Sequence, residues 1–85
     1  MSFERRTVTV EPGCERPYDP AEWFDSLVVV QDGEVELHGH SGELARFKRG
    51  DVLWLTGLPL RALRNPGPHP AVLVAVSRVR LSYPA

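Results

Sequence analysis

An all-β fold, a small antiparallel β-barrel or jelly roll, is what this sequence predicts, and three observations predict it. Apolar residues recur with a period of two along most of the chain, glycine and proline interrupt it about every 8 to 15 residues, and no stretch carries the period of an amphipathic helix. Many short strands in so few residues suit a closed or nearly closed barrel, because two open sheets would leave edges exposed and bury less. The chain has 85 residues. At that size one domain, 1–85, is expected, burying about 60–65% of the surface its unfolded form exposes.

The elements follow in order. Arg6 to Val10 alternates, with Val8 and Val10 on one face, and Glu11-Pro12-Gly13 stops it as a turn. Ser26 to Val30 is apolar and β-branched. Gln31-Asp32-Gly33-Glu34 then turns it into Val35 to Leu37, where Asp-Gly supplies positive φ, so these two strands are expected to form a hairpin. A second hairpin reverses through His38-Gly39-His40-Ser41-Gly42 into Leu44 to Phe47, and Lys48-Arg49-Gly50-Asp51 turns into Val52 to Leu55. Thr56-Gly57-Leu58-Pro59 is the next stop, Leu60 to Arg64 another strand, and Asn65 to Pro70 a proline-rich loop. Ala71 to Ser77 reads as a buried strand, and Val79 to Tyr83 as its extension. Seven to nine strands are expected in all, and no helix.

Composition narrows the function classes. Hydrophobic residues make up 42% and charged residues 25%, an ordinary globular balance. The formal net charge is -1, which supplies no field for nucleic acid or an anionic membrane, so neither is an expected partner. Cys14 is the only cysteine, which excludes an internal disulfide and fits a reducing compartment. No apolar run approaches a signal peptide or a membrane span, and a cytoplasmic location is expected.

From Asp25 to Ser77 the chain resembles the cupin superfamily, in the runs VVVQDGEVEL, FKRGDVLWLTGLPLRALRN and PAVLVAVS. The first family motif is a glycine, five residues, His-x-His, three or four residues, a glutamate, six residues and a second glycine. With the four-residue gap, Gly13 and Gly33 match the glycines, and the ligand positions hold Asp19, Ala21 and Ser26. The second motif aligns from Gly50 to Asn65 without a gap. Thr56 and Leu58 replace its proline and glycine, and Arg61 stands where the fourth ligand would be. The scaffold residues are kept and the metal ligands are not, so no metal and no cofactor are expected.

The resemblance implies that positions 19, 21, 26 and 61 converge inside the barrel. Strand alternation then puts Ser26, Val28 and Val30 on one face and Arg61, Leu63 and Asn65 on another, so Arg61 is expected to point inward. A guanidinium cannot deprotonate to escape burial and needs a carboxylate or an anion beside it. Asp19 is the first candidate and Asp25 the second. Either Arg61 grips an anionic ligand, or it and Asp19 satisfy each other, or it leans out at the barrel mouth. Tyr18, Trp23, Phe24 and Trp54 could stack a planar ligand, and core or dimer packing explains them equally well. The candidate ligand-binding cavity is therefore Asp19, Ser26, Arg61, Asn65, Tyr18, Trp23 and Trp54. His38 and His40 fall at a hairpin tip without a third ligand, and Cys14 reads as a buried or half-buried small residue without a base beside it.

The expected function is a metal-independent cupin binding a small, partly apolar anion in its barrel, as a sensor or a non-metal isomerase or cyclase. The alternative is a structural or accessory homodimer with a filled barrel and no catalytic activity. Fold does not assign chemistry, and whether the chain is an enzyme stays open. A homodimer is expected in either case, because a small barrel with exposed edges gains by pairing them. Arg6 to Val10 and Val79 to Tyr83 are the candidate strands.

Overall fold

A computed structural model describes residues 2–78, and the expected strand from Val79 to Tyr83 lies outside the described residues. Among the described residues there are eight strands: β1 (Phe3–Val10), β2 (Glu15–Pro17), β3 (Ser26–Asp32), β4 (Glu34–Gly39), β5 (Leu44–Lys48), β6 (Val52–Trp54), β7 (Leu60–Arg64) and β8 (Ala71–Arg78). They form two antiparallel four-stranded sheets, ordered β1-β8-β3-β6 and β2-β7-β4-β5. The all-β antiparallel expectation holds.

Two local expectations do not. The stretch before β3 contains a short helix, α1 (Pro20–Trp23), where none was expected. Asp19 accepts a hydrogen bond from the Ala21 amide at 3.0 Å and Pro20 presets the first helical φ, so a cap and a proline suffice to start a turn too short to show any periodicity. Second, β3 and β4 do not form a hairpin. β3 pairs with β6 and β8, and β4 with β5 and β7, so the chain changes sheets at Gly33. The register of β3 on β8 slips between Val30 and Asp32, leaving Gln31 as an extra residue, and a bulge of this kind bends a strand out of its ladder.

The core lies between the sheets. Val8, Val28, Val30, Leu53, Leu73 and Ala75 face it from the first sheet, and Val35, Leu37 and Leu63 from the second. Trp23 and Leu55 enter from the connections, with Tyr18, Phe47 and Leu60 packed around them.

The outer face of the second sheet is charged. Register sets Arg46, Glu36, Arg64 and Glu15 side by side across its four strands. Glu36 is buried beneath its neighbours: its carboxylate accepts from Arg46 at 2.6 Å, with Arg64 at 3.6 Å and His38 at 3.2 Å. The Arg46 hydrogen bond, more than the His38 contact and the charges, holds the Glu36 carboxyl below the usual carboxylate range, against a desolvation that raises it. A depressed folded value means that this contribution is present above the unfolded value of about 4.3 and is lost as pH falls through the folded one. The denaturant midpoint is therefore expected to drop on acidification below about pH 4, and Glu36→Gln to remove part of that dependence. Parallel midpoint-against-pH curves for the two proteins would contradict this.

Candidate functional site

The motif positions fall on the connection from β2 through α1 to β3, and β7 fixes where that connection begins. Glu15, Arg16 and Pro17 pair with Arg64, Leu63 and Ala62, and the Tyr18 amide donates to the Arg61 carbonyl at 3.0 Å. From there α1 turns Trp23 into the middle of the barrel, where it is fully buried. Three contacts hold the turn. The Tyr18 hydroxyl donates to the Leu55 carbonyl at 2.6 Å. Thr56 Oγ1 accepts from the Asp25 amide at 2.9 Å and donates to the Trp23 carbonyl at 3.3 Å. Burial, with the Asp19 charge adding to it, raises the Tyr18 phenol above its ordinary value, so that hydroxyl stays a donor at neutral pH.

An ion cluster covers the indole. The Arg6 guanidinium lies 5.1 Å from the Trp23 ring centroid. It donates to the Glu22 carbonyl at 2.7 Å and to the Glu22 carboxylate at 3.2 Å. Arg16 closes on the same carboxylate from the other side. Glu22 thus anchors the helix to β1 and β2 together, and Arg6 gains both a carboxylate and an aromatic face. Beside this cluster a pocket of about 430 Å³ opens at the barrel mouth, lined among others by Arg5, Arg6, Ala21, Glu22, Ser26 and Ser77. Sequence reasoning missed Arg6, although a signal was there: Arg6 shares the alternation phase of Val8 and Val10, whose side chains face the core.

The structure brings only part of the expected cavity together. Ser26 is buried at the pocket, its hydroxyl donating to the Phe24 carbonyl at 3.3 Å. Asp19 is spent on capping α1 and stays exposed. Arg61 does not point inward: it is exposed and reaches Glu15 at 3.4 Å, not Asp19. A bulge is the cause. Ala62 pairs with His38 but Leu60 pairs with Gly39, so Arg61 is the extra residue and leaves the alternation that puts Leu63 inside. Trp54 stands half exposed on the outer face of the first sheet, away from the interior. Trp23 and Tyr18 belong to the packed centre.

Asn65 is fully buried and braces a loop. Its Nδ2 donates to the Val10 carbonyl at 2.9 Å and the His69 carbonyl at 2.6 Å, while Oδ1 accepts from the Gly67 amide at 2.8 Å. Removing these bonds strands the carbonyl of the buried Val10 and releases the loop at Gly67 and His69, so Asn65→Ala is expected to cost about 3 kcal/mol in a urea titration. A loss under about 1 kcal/mol would mean the loop holds itself. His38 lies within β4 against Glu36, and only His40 is at the exposed hairpin tip. Cys14 is exposed, not buried, because the turn after Gly13 carries it outward.

These residues do not fit the metal that the fold family implies. Ala21 has no donor, the Asp19 carboxylate caps a helix, Ser26 is engaged with a backbone carbonyl, and Arg61 is a cation on the outside. Among the described residues no three His, Cys, Asp or Glu side chains group closely enough to hold an ion. No helix among them is long and apolar enough to cross a membrane.

No family model matches this chain, and no curated protein does. A solved structure does: the Cupin_2 domain of an XRE family transcriptional regulator from Enterobacter cloacae, at a TM-score of 0.62 and 21% identity, covering 92% of this chain and 83% of that one. The two sheets, their buried seam and this likeness agree, and the chain has the cupin fold.

Proposed function

We propose that this chain is a metal-independent cupin whose barrel is filled by its own side chains, and that it serves as a non-catalytic structural or accessory module. One observation carries the reading: Trp23, with no exposed surface, packs inside the core cluster between the two sheets. The solved neighbour is a domain of a transcriptional regulator. Metal analysis of protein purified without a histidine tag tests the reading. Zinc, iron, nickel or manganese in stoichiometric amount would overturn it.

The mouth pocket favours a second reading, in which a compact, partly apolar anion binds outside the filled centre. Arg5 supplies a cationic donor beside the Arg6–Glu22 pair, and Ser26, Ser77 and Phe24 complete a half-polar wall that Glu4 also lines. Titration with small carboxylates and with inorganic phosphate, followed by amide chemical shifts, tests it. Saturable shifts confined to β1, α1 and the ends of β3 and β8 would support it, and uniform or absent shifts would remove it.

A further inference from the structure

β5 is the last strand of the second sheet, and among the described residues no strand pairs with its far edge. The hairpin fixes which main-chain groups lie on that edge. The Gly39 amide donates to the Glu43 carbonyl at 2.8 Å. Bonding alternates along an antiparallel ladder, so Ala45 and Phe47 bond to Leu37 and Val35, while Leu44, Arg46 and Lys48 turn their amides and carbonyls away from β4. The chain closes the last of these positions itself: the Lys48 amide donates to Asp51 Oδ2 at 2.8 Å, and its carbonyl accepts from the Asp51 amide at 2.9 Å. Leu44 and Arg46 each keep an amide and a carbonyl on the open edge. The side chain between them completes the picture. Ala45 lies opposite the buried Leu37 and so faces the core side of the sheet, yet it is exposed. A pocket of about 300 Å³ opens there, walled by Leu37, Ala45, Phe47, Leu58, Pro59 and Leu60. Glu43, the one charged residue at its rim, holds the Ser41 amide at 3.0 Å.

We infer that β5 takes an extended peptide segment of a partner protein as an added strand, with one apolar side chain of that segment seated in the pocket. The edge chemistry selects this occupant. Peptide residues opposite Leu44 and Arg46 exchange main-chain hydrogen bonds with them, as an extended backbone alone is spaced to do. The residue between, opposite Ala45, then points to the core side and over the pocket. A larger side chain at position 45 would fill that space from within, and alanine leaves it to the neighbour. Main-chain bonds supply the affinity and the pocket the specificity, which is for an aliphatic or aromatic residue flanked by residues that favour extended backbone. The next peptide side chains stand on the outer face with Leu44 and Arg46, in water. A second copy is the poorer occupant: the open stretch is about 10 Å long, far too little for the roughly 800 Å² per partner of a stable interface. The inference goes beyond the filled-barrel reading and does not rest on it, because the edge and the pocket lie outside the Trp23 cluster.

Amide exchange and chemical shifts of the full chain test the inference. Without peptide, the Leu44 and Arg46 amides are expected to exchange at least about tenfold faster than those of Ala45 and Phe47. The probe is a capped peptide of about seven residues, with leucine at its centre, threonines on either side and a lysine at each end. Saturable shifts over Leu44–Phe47, Leu58 and Leu60 are expected, with a dissociation constant of about 0.1–1 mM and slowed exchange at Leu44 and Arg46. Methylating the backbone nitrogens of the two threonines beside the leucine keeps the side chains and removes the donors, and is expected to weaken binding at least about tenfold. Serine in place of the leucine is expected to do the same. Ala45→Phe, at an exposed position, is expected to block the pocket while cooperative melting is kept, and Trp54→Lys, on the other sheet, to leave binding unchanged. No saturable shift at about 5 mM peptide overturns the inference, as does a methylated peptide that binds equally well. Protection of Leu44 and Arg46 in the free chain overturns it too, since the edge is then already covered: by a second copy if dilution removes the protection, by the chain's own residues if it does not. Metal content and anion titrations report on the barrel alone, so a failure there is distinct from a failure here.

Discussion

Trp23→Ala is expected to cost about 3–5 kcal/mol, the largest effect of any single truncation in this chain. The indole is fully buried in the cluster that joins the sheets, and it is the largest of the sealed side chains. A domain of this size has roughly 4–13 kcal/mol in total, so this one truncation removes at least about a quarter of its stability. Trp23→Phe separates packing from polarity. Among the described residues Trp23 Nε1 is the buried side-chain polar atom that finds no acceptor, and an orphaned donor of this kind costs about 1–3 kcal/mol. Phenylalanine removes that penalty, keeps a face for Arg6 and leaves a smaller cavity, so its net loss is expected to stay under about 2 kcal/mol. Chemical denaturation of the three proteins checks both values. If Trp23→Ala stays within about 1 kcal/mol of the parent, the indole is not the packed centre, and the filled-barrel reading falls with it.

Trp23 also marks where local sequence stops being informative. Its residue type allowed a core role and a stacking role equally, and the choice depends on α1, a four-residue turn that leaves no periodic trace. Asp19 and Pro20 start the turn, but where it aims its last residue depends on β2 being held by β7. Strand positions were readable because alternation and turn residues are local properties. Strand partners were not. Asp32-Gly33 supplies the positive φ of a tight reversal, yet that same φ serves a corner between sheets, and only the ladders of β8 and β7 decide which. Arg61 fails for a related reason: its bulge is a mismatch between β7 and β4, and alternation read along one strand cannot detect a residue that its neighbour leaves unpaired. Arg6, by contrast, was readable from its own strand, since an inward phase shared with two valines is the pattern that should prompt a search for a carboxylate.

Gly33→Ala is the second large effect, and it tests that corner. Gly33 has φ +74°, and a Cβ there would lie 2.5 Å from the Pro70 carbonyl oxygen and 2.9 Å from the Ala71 Cα. Both obstacles are backbone at the entry to β8, so neither can move aside as a side-chain tip would. The left-handed conformation alone costs a non-glycine residue about 1–2 kcal/mol. Separating the start of β8 from the corner adds to this, because Ala71 is sealed in its ladder beside Val10. A loss above about 3 kcal/mol is expected, enough to bring this domain near its threshold. Gly13→Ala and Gly50→Ala provide the calibration: their φ values are +74° and +94°, but a Cβ at either meets nothing within 4 Å. They are expected to lose only the conformational part, about 1–2 kcal/mol. The difference between Gly33→Ala and these two measures the close approach of the corner to β8. Equal losses at all three positions would mean that the two sheets join with more room than the geometry gives them.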